Sequence, residues 1–409
     1  MTIRPSSLLL AATNLGGDPN ATGLPGSSAL QQLVSGVAFW ALLAAVPLAG
    51  NLGIAWLVLE GTTAFSALLV GFTGSARALE AGWKYLLLTS LGLGFSLLAI
   101  VVLEADAGTT SVASLTWEAL AEPARSHELT VVAYLLLLVG LAAKVGWAPV
   151  HNWLPDAHSE APPPVSALLS GALLPAVAIV AWRSADALAA PIGGSTTRSV
   201  LIGFGLAALA VAIPFLWRGL AWKRLLAYSS LEHMGVIAIG IGFGSTLAVA
   251  GVIVHIVGHA LAKALGFWAA IPLLEHEPHA GRAAPRGIAR SAPGLGTSMG
   301  ISLGALSGLP PSPLFVSEVL VVAGGLSAGR YWEAAATAVL LALGFLGLAQ
   351  ALVQVVAGPA RRGHRRPPVA LRSLTLLTLV ATSLMLALTA AALWLPTSVV
   401  VETMTRGLS

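Results

Sequence analysis

Three titratable residues recur at intervals of four in the apolar run GVIVHIVGHALAKALGFWAA: His255, His259 and Lys263. Steps of four turn a helix by about 400°, so the three side chains fall on one face within about 80° and stand about 6 Å apart along the axis. Histidine titrates near neutrality, and desolvation weakens the hold of buried lysines on their protons, so the file has the make-up of a water-assisted proton relay. A plainer role is open to the same residues: two histidines bonding stray carbonyls and one lysine reaching for the interface. Two histidines at i and i+4 also suit zinc. The local run supplies no carboxylate or third ligand, so no metal site is expected.

Other charges interrupt apolar runs in the same way. Glu60 lies in NLGIAWLVLEGTTAFSALLVGF, Lys144 in AYLLLLVGLAAKVGWAP and Glu318 in LFVSEVLVVAGG. A charge at the centre of a bilayer costs about 2.5–3.5 kcal/mol on insertion scales, so such residues face the protein interior and take partners. Glu60 and Lys144 suit either a static ion pair between helices or a switchable one, in which separating the two loosens the lysine's proton. The run HNWLPDAHSE gathers His151, Asp156, His158 and Glu160, is bounded by Pro155 and Pro162-Pro163-Pro164, and reads as a rigid hydrogen-bonded turn or a point of proton uptake. In KRLLAYSSLEHMG, Lys223 leads and Glu232-His233 follow, with a functional and a structural role equally open for the last two.

These residues need a membrane scaffold. Of 409 residues 56% are hydrophobic and only 9% charged, against about 25% charged in soluble domains. A water-soluble enzyme is excluded. Apolar stretches at 33–50, 51–73, 85–103, 129–149, 165–182, 199–217, 225–243, 245–274, 293–327, 331–357 and 373–395 give eleven expected spans in an all-α polytopic protein. The absence of cysteine excludes disulfides, thiolate metal sites and cysteine-bound iron–sulfur clusters in this chain. The net charge of +4 comes from basic residues in short loops, as in membrane proteins, so the lipid bilayer and not nucleic acid is the expected surface. If the loops alternate sides, fourteen Lys and Arg fall on the side of the N-terminus and five on the other, with Lys144 and Lys263 inside spans. That bias predicts a cell-membrane protein with a cytoplasmic N-terminus and an external C-terminus. Residues 1–32 read as a loose tail, 33–357 as the membrane domain, 358–372 as a basic cytoplasmic loop, 373–395 as a last helix and 396–409 as a tail.

The domain divides into 33–182 and 199–357, two groups of five spans, and the odd number inverts the second group. The fourth member of each is interrupted by proline, at Pro149 after Lys144 and at Pro310-Pro311-Ser312-Pro313 before Glu318. Broken helices in matching positions point to an ion path near the midplane. The glycines of Gly203-Phe-Gly205 and Gly240-Ile-Gly242-Phe-Gly244 read as packing residues.

The runs KVGWAPVHNWLPDAHSEAPPPVSALLSG, KRLLAYSSLEHMG, HIVGHALAKALGF and LSGLPPSPLFVSEV closely resemble the antiporter-like subunits of respiratory complex I and its relatives. NLGIAWLVLEGTTAFSALLVGF and the pair Lys84-Tyr85 are most similar to component F of the hydrogenase-4 and formate hydrogenlyase group. The resemblance implies two inverted five-helix repeats. It pairs Glu60 with the broken-helix Lys144, makes His255, His259 and Lys263 a central relay, and gives Glu318 the ionisable position of the second broken helix. Other integral membrane subunits, and redox subunits beyond them, are the implied partners. The implied cargo is H⁺, with Na⁺ as the alternative. No cofactor and no catalytic residue is expected in the chain itself. An inorganic-carbon uptake complex and a multisubunit cation/proton antiporter are the competing settings, and a scaffold that no longer pumps is a fourth. Two departures stand out: about three helices fewer than the family's fourteen, read as a late start or a shortened member, and no Lys or His in SALLSGALLPAVAIVAW, where many relatives carry one.

Overall fold

The computed structural model describes residues 25–108, 115–276, 286–359 and 371–394. Residues 1–24, the expected C-terminal tail and most of the basic loop lie outside the described residues, whereas 25–32, expected as part of the tail, form the start of the first helix. Thirteen helices carry the architecture: α1 Pro25–Ala45, α2 Leu52–Val70, α3 Ala76–Ala107, α4 His127–Val145, α5 Trp153–Glu160, α6 Pro163–Ala187, α7 Gly194–Leu216, α8 Trp222–Phe243, α9 Thr246–His276, α10 Pro293–Leu306, α11 Pro313–Ser327, α12 Tyr331–Ala357 and α13 Leu371–Trp394. Among the described residues nine helices are long and apolar enough to cross a membrane. The two remaining expected spans take other forms. The run 33–50 is the shorter apolar end of α1, and 293–327 is two half-helices of 14 and 15 residues, α10 and α11.

Local chemistry fixes where the helices stop. Gly146, at φ 81°, ends α4 two residues after Lys144. The indole of Trp153 then donates to the Ala143 carbonyl at 2.7 Å, satisfying an acceptor that the helix end leaves bare. Gly308 (φ 71°) and Pro310-Pro311 separate α10 from α11, and the Ser312 hydroxyl accepts from the Phe315 amide to start α11. In α6 the turn Leu169–Leu173 widens to a π-helix just ahead of Pro175, whose ring and missing N–H disfavour a regular turn there. Residues 150–164, expected as a loop or turn, contain the two-turn helix α5. Its Trp153, Leu154, Ala157 and His158 are buried, because apolar residues recur there at helical spacing.

α8 is the axis of the molecule. Its whole membrane window is buried, whereas only 22% of the windows of α12 and α13 is. α7 crosses α8 at a glycine pair: a Cβ on Gly205 would stand 2.6 Å from the Gly235 carbonyl. α3 and α4 meet the same way, since a Cβ on Gly140 would reach the Gly92 carbonyl at 2.4 Å. Small residues let apolar helices approach closely enough for van der Waals attraction to hold them. At the rim Trp332 and Trp394 are each 87% exposed, as aromatic residues at membrane–water interfaces are.

Candidate functional site

The titratable residues collect in two buried clusters. The larger is built on α8, α9 and α11, with α6 at its side. Lys263 donates to the Leu226 carbonyl and to the Ser229 hydroxyl, both at 2.5 Å. Ser230 donates to the same carbonyl at 2.9 Å and lies 2.7 Å from Ser170 of the π turn. Ser170 is in turn 3.4 Å from His259 Nε2. Since Ser230 spends its hydrogen on Leu226, Ser170 donates to Ser230 and His259 Nε2–H donates to Ser170. Lys263, Ser229 and Ser230 thus converge on one carbonyl of α8, and His259 joins them through Ser170.

A second strand of the cluster runs toward α11. Ser317 donates to the Leu314 carbonyl at 2.8 Å, so its oxygen must accept from His255 Nδ1, also at 2.8 Å. That leaves His255 Nε2 as a lone pair facing His233 Nδ1 at 3.0 Å. The His233 ring lies 5.0 Å from both the His255 and the His259 rings, centroid to centroid. Ligand atoms of His233, His255 and Glu318 all lie within 4.8 Å of one another. Glu232 is buried beside them, with its Oε2 lacking a hydrogen-bond partner among the described residues.

The smaller cluster joins α2, α3 and α4. Lys144, with no exposed surface, donates to Thr63 Oγ1 at 2.6 Å and Tyr85 OH at 2.7 Å. An ammonium only donates, so both hydroxyls pass their hydrogens on: Thr63 to the Leu59 carbonyl, and Tyr85 to Ser66, 2.8 Å away. Glu60 accepts from Ser90 at 2.6 Å, and its other carboxylate oxygen has no partner among the described residues. Glu60 and Lys144 therefore form no direct ion pair; hydroxyls hold the lysine and a serine holds the glutamate.

Between the clusters lies α5. His158 is fully buried and stacks on Phe267 at 5.4 Å, with both ring nitrogens lacking partners among the described residues. Burial first, then the charges of Lys263 and Lys223, push its pKa down to about 3. Burial also lowers that of His151. Lys223 donates to the carbonyls of Ser159 and Ala161, and Arg224 pairs with Asp156 at 3.5 Å on the half-exposed rim. Glu160 is half-buried at the end of α5. Residues 150–164 thus meet α8 at its N-terminal end.

Residues 49–344 match the family model described as NADH:quinone oxidoreductase/Mrp antiporter, transmembrane. The chain belongs to this family. A hydrogenase-4 component F homolog of Methylacidiphilum infernorum is 33% identical over 317 residues, covering 76% of this chain and 66% of that protein. NADH-quinone oxidoreductase subunit N of Granulibacter bethesdensis is 32% identical over 278 residues, 64% of this chain and 55% of that protein. The chain therefore spans less than two thirds of the length of these relatives. Its fold is shared, at 20% identity and a TM-score of 0.79, with a chain of an archaeal membrane-bound sulfane sulfur reductase, covering 98% of this chain and 80% of that one. It is shared as well with a chain of the Mrp complex from Dietzia sp. DQ12-45-1b, at 19% identity and a TM-score of 0.73, covering 98% and 84%.

In this family member the expected relay residues His255, His259, Lys263 and Glu318 come together, and His233 joins them. Glu60 and Lys144 stand apart from them, bonded to Ser90 and to Thr63 and Tyr85 respectively. Sequence reasoning missed the hydroxyl partners: Thr63, Ser66, Tyr85, Ser90, Ser170, Ser229, Ser230 and Ser317. Ser170 sits in the very span that lacks the family's lysine or histidine, and its signal was Pro175 five residues on. Nor did the local run reveal the third ligand-bearing groups near His255, because His233 and Glu318 arrive from other helices.

Proposed function

We propose that this chain is a proton-translocating subunit of a multisubunit membrane complex of the complex I or hydrogenase-4 type, in the cell membrane. The observation that carries the reading is the cluster on α8, where Lys263 bonds Ser229, His259 bonds Ser170, and His255 bonds both His233 and Ser317. The His259 ring is 5.0 Å from that of His233, and the Glu318 carboxylate lies within 4.8 Å of the two histidine ligand atoms. Each hydrogen-bonded pair holds a hydrogen that a donor can give up and an acceptor can take, and imidazole passes a proton in at one nitrogen and out at the other. Water is expected to bridge His259 Nδ1 and His233 Nε2, both without partners among the described residues. The unpartnered atoms of Glu60, Glu232, His158 and His259 are buried polar groups; leaving them unbonded costs about 1–3 kcal/mol each, so they are expected to meet water along a hydrated path. Hydroxyls in place of a carboxylate beside Lys144 leave its ammonium movable. A partner subunit that shifts Glu60 toward or away from it biases whether the lysine keeps its proton.

The relatives' names support a redox partner, and a hydrogenase or a quinone reductase is the proposed electron machine. The fold shared with an Mrp complex keeps a cation/proton antiporter as the second reading. Isolating the tagged chain from its native membrane in mild detergent, with partners identified by mass spectrometry, separates these. Hydrogenase or quinone-reductase subunits support the redox pump. A string of small antiporter subunits, or a lone large zinc protein of the carbon-uptake kind, overturns it.

A further inference from the structure

We propose that His233, His255 and Glu318 form a binding site for a borderline divalent metal ion, best matched by Zn²⁺, at the crossing of α8, α9 and α11. The three ligand atoms come from three helices and lie within 4.8 Å of one another. Tetrahedral zinc, with bonds of about 2.0–2.1 Å, holds neighbouring ligand atoms about 3.3 Å apart. The His233 and His255 nitrogens already stand at 3.0 Å, so the two rings have to turn their lone pairs from each other toward a common point and the carboxylate has to close in. Two imidazoles and one carboxylate are the donor set of open zinc sites, with a fourth position left for water. Mg²⁺ and Ca²⁺ favour all-oxygen shells and are disfavoured here.

The support around these ligands is in place. Ser317 takes the hydrogen of His255 Nδ1 and so presents the Nε2 lone pair to the site, the usual outer-shell device of metal-binding histidines. The metal displaces the hydrogen shared between the rings. His233 then carries its ring hydrogen on Nε2, which is buried and without a partner among the described residues. The Glu318 carboxylate is seated against the helix break, where a Cβ on Gly308 would come within 2.6 Å of its Oε2. His259, with Nδ1 unpartnered among the described residues and its ring 5.0 Å from that of His233, is within reach of the fourth position after a ring rotation. An ion held here occupies the lone pairs of both rings and moves the hydrogen away from the nitrogens through which the relay would pass it. Occupation therefore stops proton traffic; this consequence, unlike the binding itself, rests on the function proposed above.

Titration of the chelator-stripped protein, as isolated from its membrane, with Co²⁺ tests the site optically. The wild type is expected to show the visible d–d bands of low-coordinate Co²⁺, saturating at one ion per chain beyond any shared with the variants and abolished by Zn²⁺. His255→Ala and Glu318→Gln should lose these bands, with affinity down at least about tenfold, while His127→Ala, at the start of α4 against the Pro191 carbonyl, keeps them. Ser317→Ala leaves all three ligands in place and should weaken binding without abolishing it, so the test survives a ligand variant that misfolds. Wild-type protein without the bands, or bands that persist in a folded His255→Ala/Glu318→Gln double variant, overturn the site. Bands without any proton transfer leave the site standing and reject the function; proton transfer without bands does the reverse.

Discussion

Lys144 rests on two hydroxyls, at 2.6 and 2.7 Å, and both hand their hydrogens onward, so no fixed counter-ion anchors its charge. Tyr85→Phe removes one acceptor and leaves an ammonium donor short of a partner. The expected result is proton transfer slowed by at least about tenfold with the complex assembled, since positioned transfer groups contribute about 10²–10⁴-fold; Lys144→Ala should abolish it. Dye-monitored acidification of native vesicles reads both. His158 gives a pH prediction. Its pKa is pushed from 6.5 to about 3 in the fold by burial and by Lys263 and Lys223. The unfolded chain therefore binds the extra proton first, and the folded state's advantage, complete above pH 6.5, shrinks as pH falls toward 3. Thermal midpoints in detergent should drop between pH 6.5 and 4. In His158→Phe, which keeps an aromatic ring against Phe267, they should drop less; identical pH profiles for both proteins would falsify this assignment. At this scale the sequence displayed the charged residues, because charge in an apolar run is conspicuous. The hydroxyl partners were hidden, since serine and threonine routinely bond carbonyls of their own helix, as Thr63 and Ser66 also do here.

Helix breaks place the charges. α4 ends just past Lys144 and α11 begins five residues before Glu318, and both breaks were legible from prolines. The small helix α5 and the π turn of α6 were not, because α5 has only two turns of apolar spacing, set among charged residues and prolines, and the π turn leaves no pattern beyond Pro175. Helix contacts at glycine were legible only in kind. Gly140 lies against the backbone of α3 with no room for a methyl group, whereas Gly94 on α3 has nothing within 4 Å. Gly140→Ala should lower the thermal midpoint by an amount matching about 1–3 kcal/mol, the usual cost of overpacking. Gly94→Ala should be neutral or stabilising by up to about 1 kcal/mol, the helix preference of alanine over glycine. Gly344→Ala on α12 makes a sharper case, since its Cβ would stand 1.9 Å from Glu232 Oε1. The carboxylate must move, so a loss of proton transfer larger than the loss of stability is expected, read by comparing vesicle acidification with the melting midpoint.

Across the whole molecule polarity is inverted relative to a soluble protein. The innermost helix, α8, carries Lys223, Ser229, Ser230, Glu232 and His233, while α12 and α13 expose leucines and valines at the rim. A polar axis inside an apolar sleeve holds titratable groups out of lipid yet within reach of one another. That plan followed from composition and charge placement alone, and the family match over residues 49–344 bears out the resemblance read from the motifs. The separation of Glu60 and Lys144 from the α8 cluster did not follow from them, because it depends on how α4 and α5 turn back against α8. The central claim is that the two lysines, one in each cluster, serve a single proton path. Proton movement driven by the native complex in membrane vesicles, compared for wild type, Lys144→Ala and Lys263→Ala with assembly verified by mass spectrometry, tests it most directly. Loss of coupled proton movement in each variant, with the complex intact, is the predicted result; undiminished movement in either assembled variant would contradict it.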